Sequence, residues 1–342
     1  MLRFIVKRLF YVILIMIGVS IIVFLLLYLT PGDPVQLLMG DTATPEMLEA
    51  KRVEMGFDQP LIIQFWRYFS GLLQGDFGTS IFFRRPCLEL IIPALLNTLK
   101  LTAAVIVLTL IIAVPMGIIA GVKRGSGIDL FSMAFAMLGQ SMAPLWFGIL
   151  MILVFAVRLG WFPAYGDGSF KHIILPALTC AGPTAAVTTR MIRSGMIETL
   201  DEDFILAARA KGELNSRVVY KYALKNVLLP VITVVGMQIG QLFGGSVVTE
   251  SLFSWNGIGR LMIMSINKRD YPLVQGGLLV TSLLFVLVTV AVDILYMFVD
   301  PRLRITSSLR ANKGKEQMRV LTGGTQAHVV QEEPENEGEG ND

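Results

Sequence analysis

Six separate stretches of this chain are each apolar over about 20 residues, the length of helix that crosses a hydrocarbon layer of roughly 30 Å. They run approximately Leu9 to Leu27, Leu101 to Val122, Leu130 to Val157, Ile173 to Arg190, Leu228 to Val248 and Gly276 to Val299. Inside lipid no water takes up backbone N–H and C=O groups, so such stretches must be helical. The spacing therefore predicts an all-α, polytopic membrane protein with six transmembrane helices. The fourth stretch is the most polar, with Pro176, Gly182, Pro183, Thr184, Thr188 and Thr189, as suits a helix packed inside a bundle. The first lacks an A-x-A-like cleavage site and runs into a charged PGDP segment, so it reads as a retained helix rather than a signal peptide.

Composition supports membrane integration: 54% of the 342 residues are hydrophobic and only 16% charged. A net charge of +3 is too small to argue for nucleic acid. His172 and His328 are the only histidines, which weighs against an imidazole-based metal or acid/base site. Cys87 and Cys180 do not make a disulfide framework.

Lys and Arg are distributed unevenly between the segments that join the spans. Arg3, Lys7 and Arg8 precede the first span, Lys123 and Arg124 follow the second, Arg209 to Lys225 follow the fourth, and Arg302 and Arg304 follow the sixth. With six spans these segments share one face, so the positive-inside rule predicts that both termini are cytoplasmic. The external segment from 31 to 95 carries eight acidic residues against five basic ones. Within it, Thr44-Pro45 reads as a helix start and Gly56 as a stop. Pro60 to Leu73, with Phe65, Trp66, Tyr68 and Phe69, reads as an amphipathic helix lying at the membrane surface or against the bundle. The polar tail, 305 to 342, is too poor in apolar residues to fold alone and is expected to be disordered.

The charged run from Asp201 to Pro230 stands out in so apolar a chain. Phe204, Ala207, Ala208 and Lys211 recur at helical spacing, Gly212 interrupts them, and Val218, Val219, Tyr222 and Ala223 resume the period. Two short helices with a glycine hinge are expected, forming a cytoplasmic surface on which a partner packs. A solvated basic loop would need neither the period nor the paired alanines. The chain has no G-x-x-x-x-G-K-[ST] loop, so a nucleotide engine would have to sit on another chain.

ARAKG at 208 to 212 and ALKNVLLP at 223 to 230 resemble the cytoplasmic EAA signature of ATP-binding-cassette importer permeases of the dipeptide/oligopeptide/nickel group. PGDP at 31 to 34, GDFGTS at 75 to 80, LGWFPAYG at 159 to 166, TESLFSWNGIGRL at 249 to 261 and RDYPLVQG at 269 to 276 agree in order. From about Leu2 to Arg304 the chain is similar to the DppB/OppB type of binding-protein-dependent permease. Leu206 stands where the wider superfamily has the Glu of EAA, and Asn256 where this group often has Pro. The outer segment from Arg158 to Lys171 is shorter than in some dipeptide permeases.

The resemblance implies a type I importer architecture over 1 to 304, with the coupling loop at 196 to 227. It implies a second, DppC/OppC-like permease, two ABC ATPase subunits that bind ATP and Mg²⁺, and an extracytoplasmic substrate-binding protein, with no cofactor or catalysis in this chain. Phe204, Ala207, Ala208, Arg209, Lys211 and Gly212 would seat against an ATPase, while Asn226, Leu229 and Pro230 anchor the return into the membrane. Gln140, Ser141, Gln238, Gln241 and Ser246 are candidates for the translocation path, though such side chains equally serve as interhelical glue. Phe253, Trp255, Gly257 and Gly259 would form a short re-entrant segment near the binding-protein dock, or an aromatic anchor with a turn. Asp293 reads as a carboxylate inside a span, in a structural ion pair rather than a proton relay. The expected substrate is a di- or oligopeptide, with nickel, glutathione-like compounds or oligosaccharides as alternatives. A secondary transporter or channel would show internal repeats or charged midplane residues, which the chain lacks apart from that one acid.

Overall fold

The structure is a computed structural model that describes residues 2–29, 34–40 and 43–299. PGDP up to Asp33 and the tail lie outside those residues. Among the described residues the fold is all-α: α1 (Leu2–Leu29), α2 (Pro34–Met39), α3 (Pro45–Met55), α4 (Leu61–Leu73), α5 (Cys87–Val122), α6 (Gly127–Ser141), α7 (Pro144–Met151), α8 (Phe170–Leu200), α9 (Asp203–Ala210), α10 (Asn215–Arg217), α11 (Leu224–Leu252), α12 (Ile258–Asn267) and α13 (Tyr271–Val299). Helix α7 continues as a π-helical stretch, Ile152–Arg158, and a second one, Val218–Ala223, joins α10 to α11. From Ile294 the chain forms a second unit, described only as helix to Val299; the bundle belongs to the first unit.

The bundle is organised around α8, which packs on α5, α6, α7 and α11. Close approach along α5 depends on small residues. Ala113, Gly117, Ala120 and Gly121 are buried on α5, facing Ala185, Thr189, Ile192 and Met196 of α8. A Cβ on Gly117 would lie 2.6 Å from the Ile192 Cβ, and one on Gly121 would lie 2.6 Å from the Met196 Cβ. Small residues four apart let two helix backbones meet where lipid supplies no hydrophobic drive between them. The hydroxyls of Thr109 and Thr184 hydrogen-bond across the same seam at 2.8 Å.

A second contact fixes α6. Its first turn is capped by the Ser126 hydroxyl, which accepts from the Asp129 N–H at 3.3 Å. Asp129 in turn accepts from Arg193 of α8 through both carboxylate oxygens, at 2.5 and 2.8 Å, and from the Gly125 N–H at 3.0 Å. The pair lies just beyond the apolar stretches of α6 and α8.

Two of the expected spans are redrawn. The stretch from Leu130 to Val157 is not one helix: α6 and the helix from Pro144 to Arg158 are bent by 108°. Pro144 explains the break, because it lacks an N–H and disfavours α backbone in the residue before it. Met142 and Ala143 accordingly have extended ψ angles of 127° and 134°. The second span begins earlier than expected, since α5 starts at Cys87 and runs 36 residues. Among the described residues, by length and apolarity alone, two helices, α5 and α13, could cross a membrane, or up to four if each bent pair is one span. Helix α8 has 31 residues and is long enough, but its Thr, Gly and Pro content keeps it out of that set.

Helices α3 and α4 form where the sequence predicts them. The Thr44 hydroxyl accepts from the Met47 N–H, Pro45 opens α3, and Gly56 closes it with φ of +74°. Helix α4 lies against α1, where Phe24 meets Phe65 edge-on at 5.4 Å and stacks on Tyr68 at 6.1 Å.

The α5/α8 seam should not tolerate even one added methyl. Gly117→Ala is expected to destabilise the purified protein by about 1–3 kcal/mol, read as a lowered Tm in detergent. Gly18→Ala, in α1 with nothing within 4 Å of the new Cβ, should leave Tm unchanged.

Candidate functional site

Helix α9 has only eight residues, too short to persist alone in water. It is held by its inner face: Ile205 and Ala208 are buried with Ile192, Met196, Val218, Val219, Ala223 and Val227. Phe204, Leu206, Ala207, Arg209 and Lys211 are exposed on the rest of its surface. The expected contact residues are thus divided, with Ala208 turned into the chain's own bundle while Phe204, Ala207, Arg209 and Lys211 remain available. Gly212 ends the helix in the left-handed region, with φ of +82°. The following Glu213 N–H returns to the Ala208 carbonyl at 3.2 Å, as in a glycine C-cap.

The second helix of the pair is not separate. From Asn215 the chain is helical through α10 and the π-helical stretch into α11, as far as Leu252. Val218, Val219 and Ala223 are its buried face. Pro230 therefore lies within α11, and the axis bends by 46° between the segments on either side of it. Asn226 and Pro230 are exposed, and the Leu229 side chain lies outside the described residues. The Asp293 side chain lies outside them too.

The candidate path residues do not converge. Gln140 and Ser141 are exposed just before the Pro144 elbow, and the Ser141 hydroxyl donates back to the Met137 carbonyl at 2.9 Å. Gln241 is exposed. The Gln238 Oε1 is buried without a partner beside a cavity of about 10 Å³ that Thr109 and Thr184 also line. A larger groove of about 770 Å³ runs between α5 and α8. Its walls are apolar, from Ala104 and Leu108 to Ile173 and Ala177, and its rim carries Asn97, Lys100 and Asp167.

Ser246 instead belongs to a buried knot that hydropathy does not reveal. Glu250 lies inside α11, just past the apolar stretch that ends at Val248, and is 0% exposed. Its carboxylate accepts from Thr98 Oγ1 of α5 at 2.7 Å, Ser246 Oγ at 3.2 Å, and the Gly259 and Arg260 N–H groups that open α12 at 2.9 and 3.1 Å. Free N–H groups at a helix start suit an anion. Thr98 also accepts from the Ile258 N–H at 2.9 Å. Apolarity alone ends the span at Val248, and the signal it passes over is an acid seven residues before Gly-x-Gly.

The four residues expected at an outer dock are all buried. Phe253 is 1% exposed and Trp255 4%, and Gly257 and Gly259 press on Glu250. Trp255 Nε1 donates to the Asn97 carbonyl at 3.1 Å. What faces outward there is Asn256, whose amide donates to Asp167 at 3.0 Å and whose oxygen accepts from Arg260 at 2.7 Å. A second buried acid, Asp270, accepts from Ser80 Oγ and from the Ile81 and Phe82 N–H groups, the latter two at 3.1 Å.

Removing one member of the α6–α8 ion pair strands the other. Arg193→Ala should cost about 2 kcal/mol, below the range for fully buried pairs because Arg193 keeps 22% of its side-chain surface. A lowered Tm measures it, with Arg193→Lys recovering part of the loss.

Comparison with known proteins places this arrangement. The family described as Binding-protein-dependent transport system inner membrane component matches residues 113–305, and its N-terminal region matches residues 1–93. The chain is 42% identical over 304 residues to the glutathione transport system permease protein GsiC of Escherichia coli K12, covering 89% of this chain and 99% of that one. It is 41% identical, with the same coverage, to the GsiC of Salmonella paratyphi A. Its fold resembles that of an inward-facing MetNI methionine ABC transporter structure at a TM-score of 0.53 and 20% identity, over 62% of this chain and 97% of that one. The chain belongs to the binding-protein-dependent transport system inner membrane components, as a permease subunit of an ABC importer of the DppB/OppB group.

Proposed function

We propose that this permease crosses the membrane six times with both termini cytoplasmic, and that it forms half of a translocation path with a second, homologous permease. The six spans are α1, α5, the broken α6–α7 pair, α8, the continuous helix from α10 to α11, and α13. The uneven distribution of Lys and Arg supports this orientation, and it puts α9 on the cytoplasmic side. Two ABC ATPase subunits power the importer, ATP and Mg²⁺ bind to them, and a binding protein delivers the substrate outside.

The observation that carries the coupling role is the division of α9. Its inner face, Ile205 and Ala208, is fixed in the permease, while Phe204, Leu206, Ala207, Arg209 and Lys211 are exposed. A short helix anchored on one side and open on the other can be gripped and moved as a rigid body. Gly212 turns the chain at its end, so that movement passes straight into the helix beginning at Asn215. Asn226, Leu229 and Pro230 lie on that helix, on the output side of the joint.

The substrate we propose is a short peptide, with glutathione-like peptides foremost, on the strength of 42% identity to a glutathione permease along nearly its whole length. Nickel and oligosaccharides are the alternatives. Uptake by the complex reconstituted with its binding protein tests this directly: competition by glutathione or dipeptides supports it, and competition by nickel or sugars alone refutes it.

Gly212→Val places a β-branched residue at positive φ, costing about 1–2 kcal/mol at the hinge. It should lower uptake at least tenfold while the chain still inserts and assembles. Uptake at the parent rate would remove Gly212 from the coupling role.

A further inference from the structure

We propose that Glu250 is the positioning residue through which α11 carries α12, so that a push on α9 reaches the opposite end of the bundle. This rests on the reading of α9 as the segment that an ATPase moves. The helix from Asn215 has no non-helical residue before Leu252. From Ala223, beside the α9 anchor, to Glu250 its path along the axis is about 40 Å at 1.5 Å per residue, continuous through the 46° bend at Pro230. Whatever displaces its α9 end therefore acts on Glu250 through a single element.

At that end the carboxylate is the common acceptor for three elements. It takes Thr98 of α5, Ser246 of its own helix, and the first N–H groups of α12. Movement of α11 without α12 would strand a buried carboxylate and free N–H groups together, which is far costlier than moving the helices as one. Steric fit tightens the link. A Cβ on Gly257 would lie 2.3 Å from the Glu250 Cδ, and one on Gly259 would lie 2.7 Å from Val247 Cγ2. The far end of α12 is tied in turn: Asp270 follows it and holds Ile81 and Phe82 in the loop before α5. Helix α12 is thus a bar pinned at both ends by buried acids, with Ile263 and Ile266 on its open side, 39% and 56% exposed.

The test uses the complete importer in lipid vesicles, with one fluorophore on Leu214→Cys beside α9 or on Ile266→Cys on α12. Leu214 is 74% exposed, and native Cys87 and Cys180 are buried. Both sites should respond to ATP in the parent chain. In Glu250→Gln, which keeps the shape and removes the charge, the Leu214 response should persist within twofold while the Ile266 response falls at least fivefold. Uptake should fall with it, and ATP hydrolysis should stay within twofold. An unchanged Ile266 response overturns the proposal, as does loss of both responses, since Glu250 would then merely support the fold. A parent chain silent at Leu214 overturns the reading of α9 itself, and the role of Glu250 with it. Should Glu250→Gln not assemble, Thr98→Val, which removes one donor and keeps the charge, is judged by the same two responses.

Discussion

The close contact of α5 with α8 is the constraint on which the rest of the structure hangs. Two helices in lipid gain little from hydrophobic burial and must hold each other by fit. Gly117 and Gly121 provide that fit, and Ile192 and Met196 fill it. Helix α8 then becomes the axis of the bundle. It holds α6 through the Arg193–Asp129 pair, packs on α11, and lends Ile192 and Met196 to the pocket that seats α9. The residues that make the seam also make the floor under α9, so strain at one is felt at the other.

Much of this is legible in the sequence where a single residue sets the backbone. Thr44 with Pro45, Gly56 and Gly212 mark helix ends through side-chain capping or positive φ, and each does so in the structure. The aromatic helix at Leu61–Leu73 is equally clear from its period. The break within the third stretch is missed because hydropathy adds side chains and ignores backbone. Met142, Ala143 and Pro144 are apolar, yet Pro144 turns the chain through 108°.

The polar groups are harder to read, for a related reason. Glu250 looks like a loop acid because nothing in its neighbourhood reveals that Thr98, 152 positions away, donates to it. Phe253 and Trp255 look like interfacial anchors, but they are interior residues around that knot. Ala208 looks like contact surface, and its partner is its own bundle. In each case the residue type is read correctly and its direction is set by long-range packing. Periodicity says which residues share a face and leaves open which way that face turns.

These details refine the division of labour in the importer. In the proposed function the segment from Asp201 to Pro230 acts as a joint, with Ile205 and Ala208 buried in the permease and Phe204, Leu206, Ala207 and Arg209 exposed. The central claim is that an ATPase occupies the free face. Single cysteines along α9, cross-linked in the assembled importer in membranes, test it most directly. Phe204→Cys and Ala207→Cys should link to the ATPase, while Ile205→Cys and Ala208→Cys should not. Cross-linking of all four alike, or labelling of Phe204→Cys by a reagent confined to the outside of the cell, would contradict the account.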